Sequence, residues 1–209
     1  MSVYSCARFF GLPFVKMTWP TKIVNKEKFN IPDGAIVICN HFSKVDGLLV
    51  TRFFKKNLHI LIKKEAFEES KISNWFLRKC GGIPVNRGSN DIELVKTTLR
   101  LLKNNEKVVI FPEGTRNKTG TKDMLEFHDG VAMFAVKTQK PIIPMILYEK
   151  PKRWEKNYLF VGDPFELTDF YNTKDYAEAT KEVFNHMVEV QKECNEYVSN
   201  LKVKKKWFN

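Results

Sequence analysis

The stretch "AIVICNHFSKVDG", residues 35–47, sets the reading of the whole chain. Its first five residues are apolar on both faces and rich in β-branched side chains, as in a strand buried inside a sheet with helices on either side. The run breaks at Asn40 into a polar loop carrying His41, Ser43 and Asp46, and a helical pattern over 47–55 follows. A buried strand that exits into a polar loop and then a helix is the repeating unit of an α/β domain.

The same signature recurs outward from this point. Short apolar runs stand at 59–62 (HILI), 83–85 (IPV), 108–111 (VVIF), 142–147 (IIPMIL) and 158–161 (YLFV). Helical patterns separate them at 72–79 and 130–139, and a third opens at Asn90, which forms a capping box with Glu93. In that third helix Ile92, Val95, Leu99 and Leu102 make one core-facing stripe. Residues 175–201 carry two apolar rows at heptad spacing, Tyr176, Val183, Val190 and Tyr197 beside Thr180, Met187, Cys194 and Leu201. So few heptads, with a Thr in the seam, favour a long helix packed across its own domain over a coiled coil, and leave the oligomeric state open.

The expected architecture is therefore α/β: a single domain with a central, mostly parallel or mixed sheet flanked by helices, an amphipathic N-terminal segment and a long C-terminal helix. The domain is assigned to 31–209. Residues 1–30 are read as a membrane-contacting segment, because "VYSCARFFGLPFVKMTWP" mixes Phe9, Phe10, Phe14, Val15 and Trp19 with Arg8 and Lys16. Pro13 is expected to break or kink a helix there, and a strap packed on the domain surface is the competing reading. The tail "LKVKKKWFN" repeats the mixture, although a frayed end explains it equally well.

The chain of 209 residues, 43% of them hydrophobic, can fill one full core. A formal net charge of +11, from 35 Lys and Arg against 24 Asp and Glu, suits an anionic partner, although compositional bias in the gene would produce the same excess. The aromatics do not interleave with a basic stripe, which argues against nucleic acid. Cys6, Cys39, Cys80 and Cys194 stand far apart, so neither a disulfide framework nor a zinc cluster is expected, and the compartment is read as reducing. No run approaches the roughly 18 apolar residues of a bilayer span and no signal peptide is visible, so a cytoplasmic protein is expected.

Three segments carry the chemistry. His41 leaves its strand where α/β folds place active sites, and Asp46 can fold back onto its imidazole. A carboxylate on one ring nitrogen fixes the tautomer and frees the other nitrogen to take a proton from an alcohol. Asp46 would serve equally well as a cap of the following helix. Asn40 and Ser43 can tie the loop to the backbone. The second segment, "VVIFPEGTRNKTG" at 108–120, ends a strand in a turn where Gly114 lets backbone N–H groups face an anion and Arg116 offers a fork matched to phosphate oxygens. The alternative is an ordinary β-turn with a surface Arg and the acid Glu113 held by it. In the third, "CGGIPVNRGSN" at 80–90, Arg87 repeats the pattern of a Gly-flanked cation after a strand. Cys39 is read as a buried apolar residue rather than a nucleophile.

The ordered set "NHFSKVD", "GGIPVNRG", "FPEGTR" and "KPIIPMIL", with "KKEAF" at 63–67 and "VGDPF" at 161–165, resembles the sequence blocks of the glycerolipid acyltransferases, in particular the bacterial 1-acylglycerol-3-phosphate acyltransferases. The resemblance runs from about residue 31 to 164. It implies transfer of a fatty acyl group from acyl-CoA or acyl carrier protein to the free hydroxyl of 1-acylglycerol 3-phosphate, giving phosphatidic acid, without a metal or bound cofactor. Glycerol 3-phosphate, another lysophospholipid, and a non-catalytic anionic-lipid-binding role are the alternatives. His41 would be the general base, oriented by Asp46. Glu113, Gly114, Thr115 and Arg116 would form the acceptor site, assisted by Arg87 and by Lys63 or Lys64, and Pro144 would lie on the acyl-donor side. The implied location is peripheral, on the inner face of the cell membrane against anionic lipid. Lys44, Asn86 and His128 depart from the family pattern. His128 is read as a solvated loop residue, His59 as a strand edge and His186 as helix surface.

Overall fold

The computed structural model describes residues 3–29, 31–54, 58–86, 91–119, 121–172 and 174–207, with side chains described between 11 and 201. The strands are β1 (Thr21–Val24), β2 (Ile36–Cys39), β3 (Leu58–Lys63), β4 (Gly82–Val85), β5 (Lys107–Ile110), β6 (Ile142–Leu147) and β7 (Asn157–Val161). They form a seven-stranded sheet in the order β1-β7-β6-β2-β5-β3-β4. Strands β6, β2, β5, β3 and β4 run parallel to one another, and β7 meets β6 antiparallel and carries β1 parallel beside it. The mixed, largely parallel sheet expected from the buried runs is present, and its centre, β2 flanked by β5 and β6, is buried throughout and apolar except for Lys107 at the start of β5, which pairs with Asp33.

Among the described residues seven α-helices flank it: α1 (Val3–Thr18), α2 (Asp46–Thr51), α3 (Lys64–Glu68), α4 (Lys71–Lys79), α5 (Ile92–Lys103), α6 (Gly130–Thr138) and α7 (Tyr176–Trp207). One core lies under α5, α6 and α7, where Leu102, Phe134, Val183, Met187 and Cys194 meet Ile36, Ile38, Ile142 and Ile146. A second lies on the other face, where Trp19, Phe42, Leu49, Val50 and Phe54 meet Val37, Cys39, Val109 and Ile143. The heptad residues of α7 thus bury themselves in their own domain, as their length and the Thr implied, and the Thr180 hydroxyl lies 2.8 Å from Asp129 Oδ1.

Several local expectations shift. Helix α1 runs through Pro13 without a break, at the loss of one i to i−4 bond. β1 adds an edge strand at 21–24, inside the stretch assigned to membrane contact; with four residues and only Val24 buried, it has no pattern to read in sequence. Helix α2 stops at Thr51 rather than 55. The cap of α5 is Asp91, whose carboxylate accepts from Leu94 N–H at 3.0 Å, in place of Asn90. His59 lies in β3, which is paired on both sides, so it is not on an edge. His186 is on the surface of α7, stacked on Phe165 at 4.1 Å.

Pro144 is unusual in the interior of a sheet, since it has no N–H to donate. It is tolerated because the β7 ladder begins only at Met145, and Gly162 instead donates its N–H to the Pro144 carbonyl at 2.9 Å.

Gly81 follows α4 with φ +84, the left-handed turn that ends many helices. A Cβ there would run into the Leu58 carbonyl oxygen of β3. Gly81→Ala therefore combines backbone strain with a clash and should cost about 1–3 kcal/mol, measured by chemical denaturation. An unchanged denaturation midpoint would contradict this packing.

Candidate active site

The parallel strands β2, β5, β3 and β4 deliver their carboxyl ends to one end of the sheet. The loops after β2 and β5 are neighbours because Ile36, Val37 and Ile38 pair with Val108, Val109 and Ile110. The loops after β3 and β4, with Lys63 and Asn86, follow in order outward.

Asp46 opens α2 but does not cap it, for Val45 holds the cap position without a side-chain bond. Its carboxylate turns back instead. Oδ2 lies 2.8 Å from His41 Nδ1 and accepts the N–H groups of Phe42 and Ser43 at 2.6 and 2.7 Å, and Oδ1 accepts the Ser43 hydroxyl at 2.6 Å. Asp46 is 0% exposed, so this set of donors stands in for the water it has lost. A carboxylate accepts and does not donate, so Nδ1 carries the hydrogen and Nε2 presents its lone pair. Phe111 stacks on the imidazole at 4.2 Å and fixes its plane. The ring is 16% exposed, and Nε2 has no partner among the described residues.

The loop after β5 holds His41 by its backbone. Glu113 Oε1 accepts the His41 N–H at 2.7 Å, and Asn117 donates its N–H to the His41 carbonyl at 2.6 Å. Glu113 Oε2 accepts Leu125 N–H at 3.1 Å, so both its oxygens serve backbone amides. Glu113 is 2% exposed, and burial pushes its carboxyl above the usual range against the pull of those two N–H bonds. Asn117 is locked in turn by Asp123 and Thr119. On the other side, Asn40 bridges to β6: its amide donates to Leu147 O at 2.9 Å and accepts from Leu147 N at 2.8 Å.

Arg116, between these groups, is half-buried and makes no hydrogen bond or ion pair among the described residues. Gly114 turns at φ +61, and a Cβ on it would meet the His128 ring at 2.5 Å. Gly114 therefore lets the exposed His128 lie across the turn. Among the described residues no group of His, Cys, Asp and Glu could hold a metal ion.

The sequence model described as "Acyltransferase" matches residues 21–148, more than half of the chain. The chain belongs to the acyltransferase family. Among its relatives, the 1-acyl-sn-glycerol-3-phosphate acyltransferase of Cocos nucifera is 36% identical over 162 residues, which span 75% of this chain and 51% of the relative, so the match covers about half of that protein. The enzyme of the same name from Bacillus subtilis (strain 168) is 29% identical over 176 residues, 80% of this chain and 85% of that one. In three dimensions the crystal structure of the 1-acyl-sn-glycerophosphate (LPA) acyltransferase, PlsC, from Thermotoga maritima superposes with a TM-score of 0.67, covering 90% of this chain and 78% of that chain at 22% identity, a likeness of fold.

Within the family's blocks the structure brings His41, Asp46, Glu113, Gly114, Thr115 and Arg116 together at adjacent strand ends. Thr115 is exposed, and Lys63 ends β3 half-buried. Lys64 is exposed and pairs with Glu68 at 3.5 Å. Arg87 lies outside the described residues. Pro144 is buried in mid-strand opposite Ile38, away from any strand end. A cavity of about 630 Å³ opens beside β4, lined by Lys64, Arg78, Asn86 and Arg100 among others, and His41 is not part of its wall. Cys39 is fully buried in the second core, and burial pushes its thiol well above the usual range. Sequence reasoning missed Asn117 and Phe111. An Asn in a Thr, Lys and Gly cluster is a turn signal that pointed to the first, and nothing in sequence marked the second.

Glu113→Gln would turn an NH2 toward the N–H of His41 or Leu125. The expected loss is about 1–3 kcal/mol in urea denaturation, with kcat falling more than KM changes. Because the folded carboxyl titrates above its unfolded value, its contribution is fully present below the unfolded pKa and lost as pH rises through the folded one. The stability gap between parent and variant should narrow with rising pH across that window; a widening gap would contradict the raised carboxyl.

Proposed function

We propose that the protein transfers a fatty acyl group from an acyl thioester to the free hydroxyl of 1-acylglycerol 3-phosphate, releasing a thiol and phosphatidic acid. The observation that carries this reading is His41, held through Nδ1 by a buried, saturated carboxylate while Nε2 stays open. The acceptor oxygen attacks the thioester carbonyl as Nε2 takes its proton, and the tetrahedral intermediate collapses by expelling the sulfur. The imidazolium returns the proton to the leaving thiolate, so no net proton is consumed. Asp46 keeps the imidazole in the productive tautomer and stabilises it when charged.

Glu113 and Asn117 act on the backbone of His41 and so position the base, while Arg116 is left to bind the acceptor phosphate. Lys63, at the end of β3, and Arg87 would extend this cationic side of the site. The phosphate would then lie on the β5 and β3 side of His41, and the acyl donor would approach from the β6 side. The names of the two relatives support the acceptor, and the basic balance of the chain supports work at an anionic lipid surface. No helix among the described residues is long and apolar enough to cross a membrane. A peripheral position on the cytoplasmic face fits that fact and the free thiols of Cys39, Cys80 and Cys194.

Purified protein should release free thiol from acyl-CoA or acyl carrier protein only when lysophosphatidic acid is present. His41→Ala should lower kcat about 10³-fold or more, and Asp46→Asn about 10²-fold to 10⁴-fold. Arg116→Gln should raise KM for the acceptor about tenfold or more with a smaller effect on kcat. Cys39→Ala should keep its turnover, whereas an acyl relay through sulfur would lose it. Acceptor-independent release, or full activity in His41→Ala, would sink the reading.

A further inference from the structure

Helix α4 offers its apolar side to solvent rather than to a core. Ile72, Trp75 and Phe76 are 79%, 54% and 42% exposed, and α4 has no buried residue. Their i, i+3, i+4 spacing puts them on one face, and Lys71, Arg78 and Lys79 stand at the ends and rim of that stripe. α1 packs against α4 and itself exposes Phe14 and Met17, 58% and 59%, toward its carboxyl end, with the exposed Lys16 between them in sequence. Neither helix contains an acidic residue. Three large apolar side chains exposed side by side on one helix face are more than scattered surface apolars and mark an interaction site.

We propose that the exposed face of α4 is a docking element for an anionic lipid surface, lying in the headgroup region with its aromatics inserted and its cations against lipid phosphates. The charge decides between this partner and a second copy of the chain. A face-to-face dimer would set Lys71, Arg78 and Lys79 against their own copies, with no acid on α1 or α4 to neutralise them. Glu65 and Glu68 of α3, with Glu69 after it, are the acids nearest in sequence, and Glu68 is already paired with Lys64. An apolar stripe bordered by cations matches an interfacial helix on acidic lipid.

The placement gives this face a use. α3 starts where β3 ends, at the same sheet end as the His41 loop, and α4 runs back from there toward β4. The amino end of α4, with Ile72, is therefore at the end of the domain where the base opens. Docking α4 would turn that end to the lipid surface, so that an acceptor with its acyl chain still in the leaflet could present its headgroup to Arg116. This deepens the proposed acyl transfer, on which it rests for the identity of the acceptor.

The test is cosedimentation with vesicles of phosphatidylcholine alone and of an equal mixture with phosphatidylglycerol, using the full chain. Trp75→Ser combined with Phe76→Ser should weaken binding to the mixed vesicles at least about tenfold. Its thermal midpoint and its turnover of a short-chain, monomeric lysophosphatidic acid should stay unchanged. Lys71→Glu with Lys79→Glu should also weaken binding and flatten its salt dependence, and Val188→Ser, an exposed apolar position on α7, should do nothing. Unchanged vesicle binding in the α4 variants would overturn the proposal, as would a parent dimer in gel filtration that the same variants dissolve. Failure of the parent to acylate the monomeric acceptor would strike the transfer reading instead and leave the vesicle result standing.

Discussion

The site depends on a clamp between two loops: Glu113 and Asn117, after β5, hold the N–H and the carbonyl of His41, after β2. The clamp exists because β2 and β5 are parallel neighbours in the middle of the sheet, registered residue for residue by side chains that are fully or almost fully buried. A parallel pair must send both exits to the same end. Hydrophobic burial thus fixes two strands, the strands fix two loops, and the loops fix His41 through the peptide units on both sides of it. A carboxylate is costly to bury, and Glu113 is kept at this cost because it accepts amides from both His41 and Leu125.

The polar groups of the site fall into two kinds. Asp46, Glu113, Asn40 and Asn117 are buried, with their hydrogen-bonding capacity spent on the backbone, on His41 or on the Ser43 and Thr119 hydroxyls. His41 Nε2 and the Arg116 guanidinium lie among them without such partners among the described residues. Saturated groups resist movement, and open ones are available to substrate. A rigid, preorganised base requires this division, since a base that had to reorient in the transition state would lose much of its advantage.

Much of this was legible in the residues. Buried runs such as 35–39 and 142–147 announced central strands because a strand covered on both faces has no polar side to show. His41 and Asp46 were legible because their spacing lets a carboxylate reach back to the ring. Other features depend on distance in space and leave no local trace. Glu113 looked like an acceptor ligand beside Arg116, yet its partner is an amide 72 residues away in sequence. Pro144 looked like a site residue and is held in mid-sheet by Gly162, whose role is visible only once β7 is placed. The exposed face of α4 has the same periodicity as a core-facing stripe, so sequence alone cannot tell which side it turns to solvent.

In the proposed transfer Asp46 holds His41 with the hydrogen on Nδ1 and leaves the lone pair of Nε2 open to the acceptor. Long-range nitrogen–hydrogen NMR of the histidine rings measures it directly, with His59, His128 and His186 as internal references. With the imidazole neutral, His41 should show a protonated Nδ1 and an unprotonated Nε2, and Asp46→Asn should abolish that pattern. A hydrogen found on Nε2 in the parent protein would contradict the account, because the nitrogen proposed to take the acceptor's proton would already be occupied.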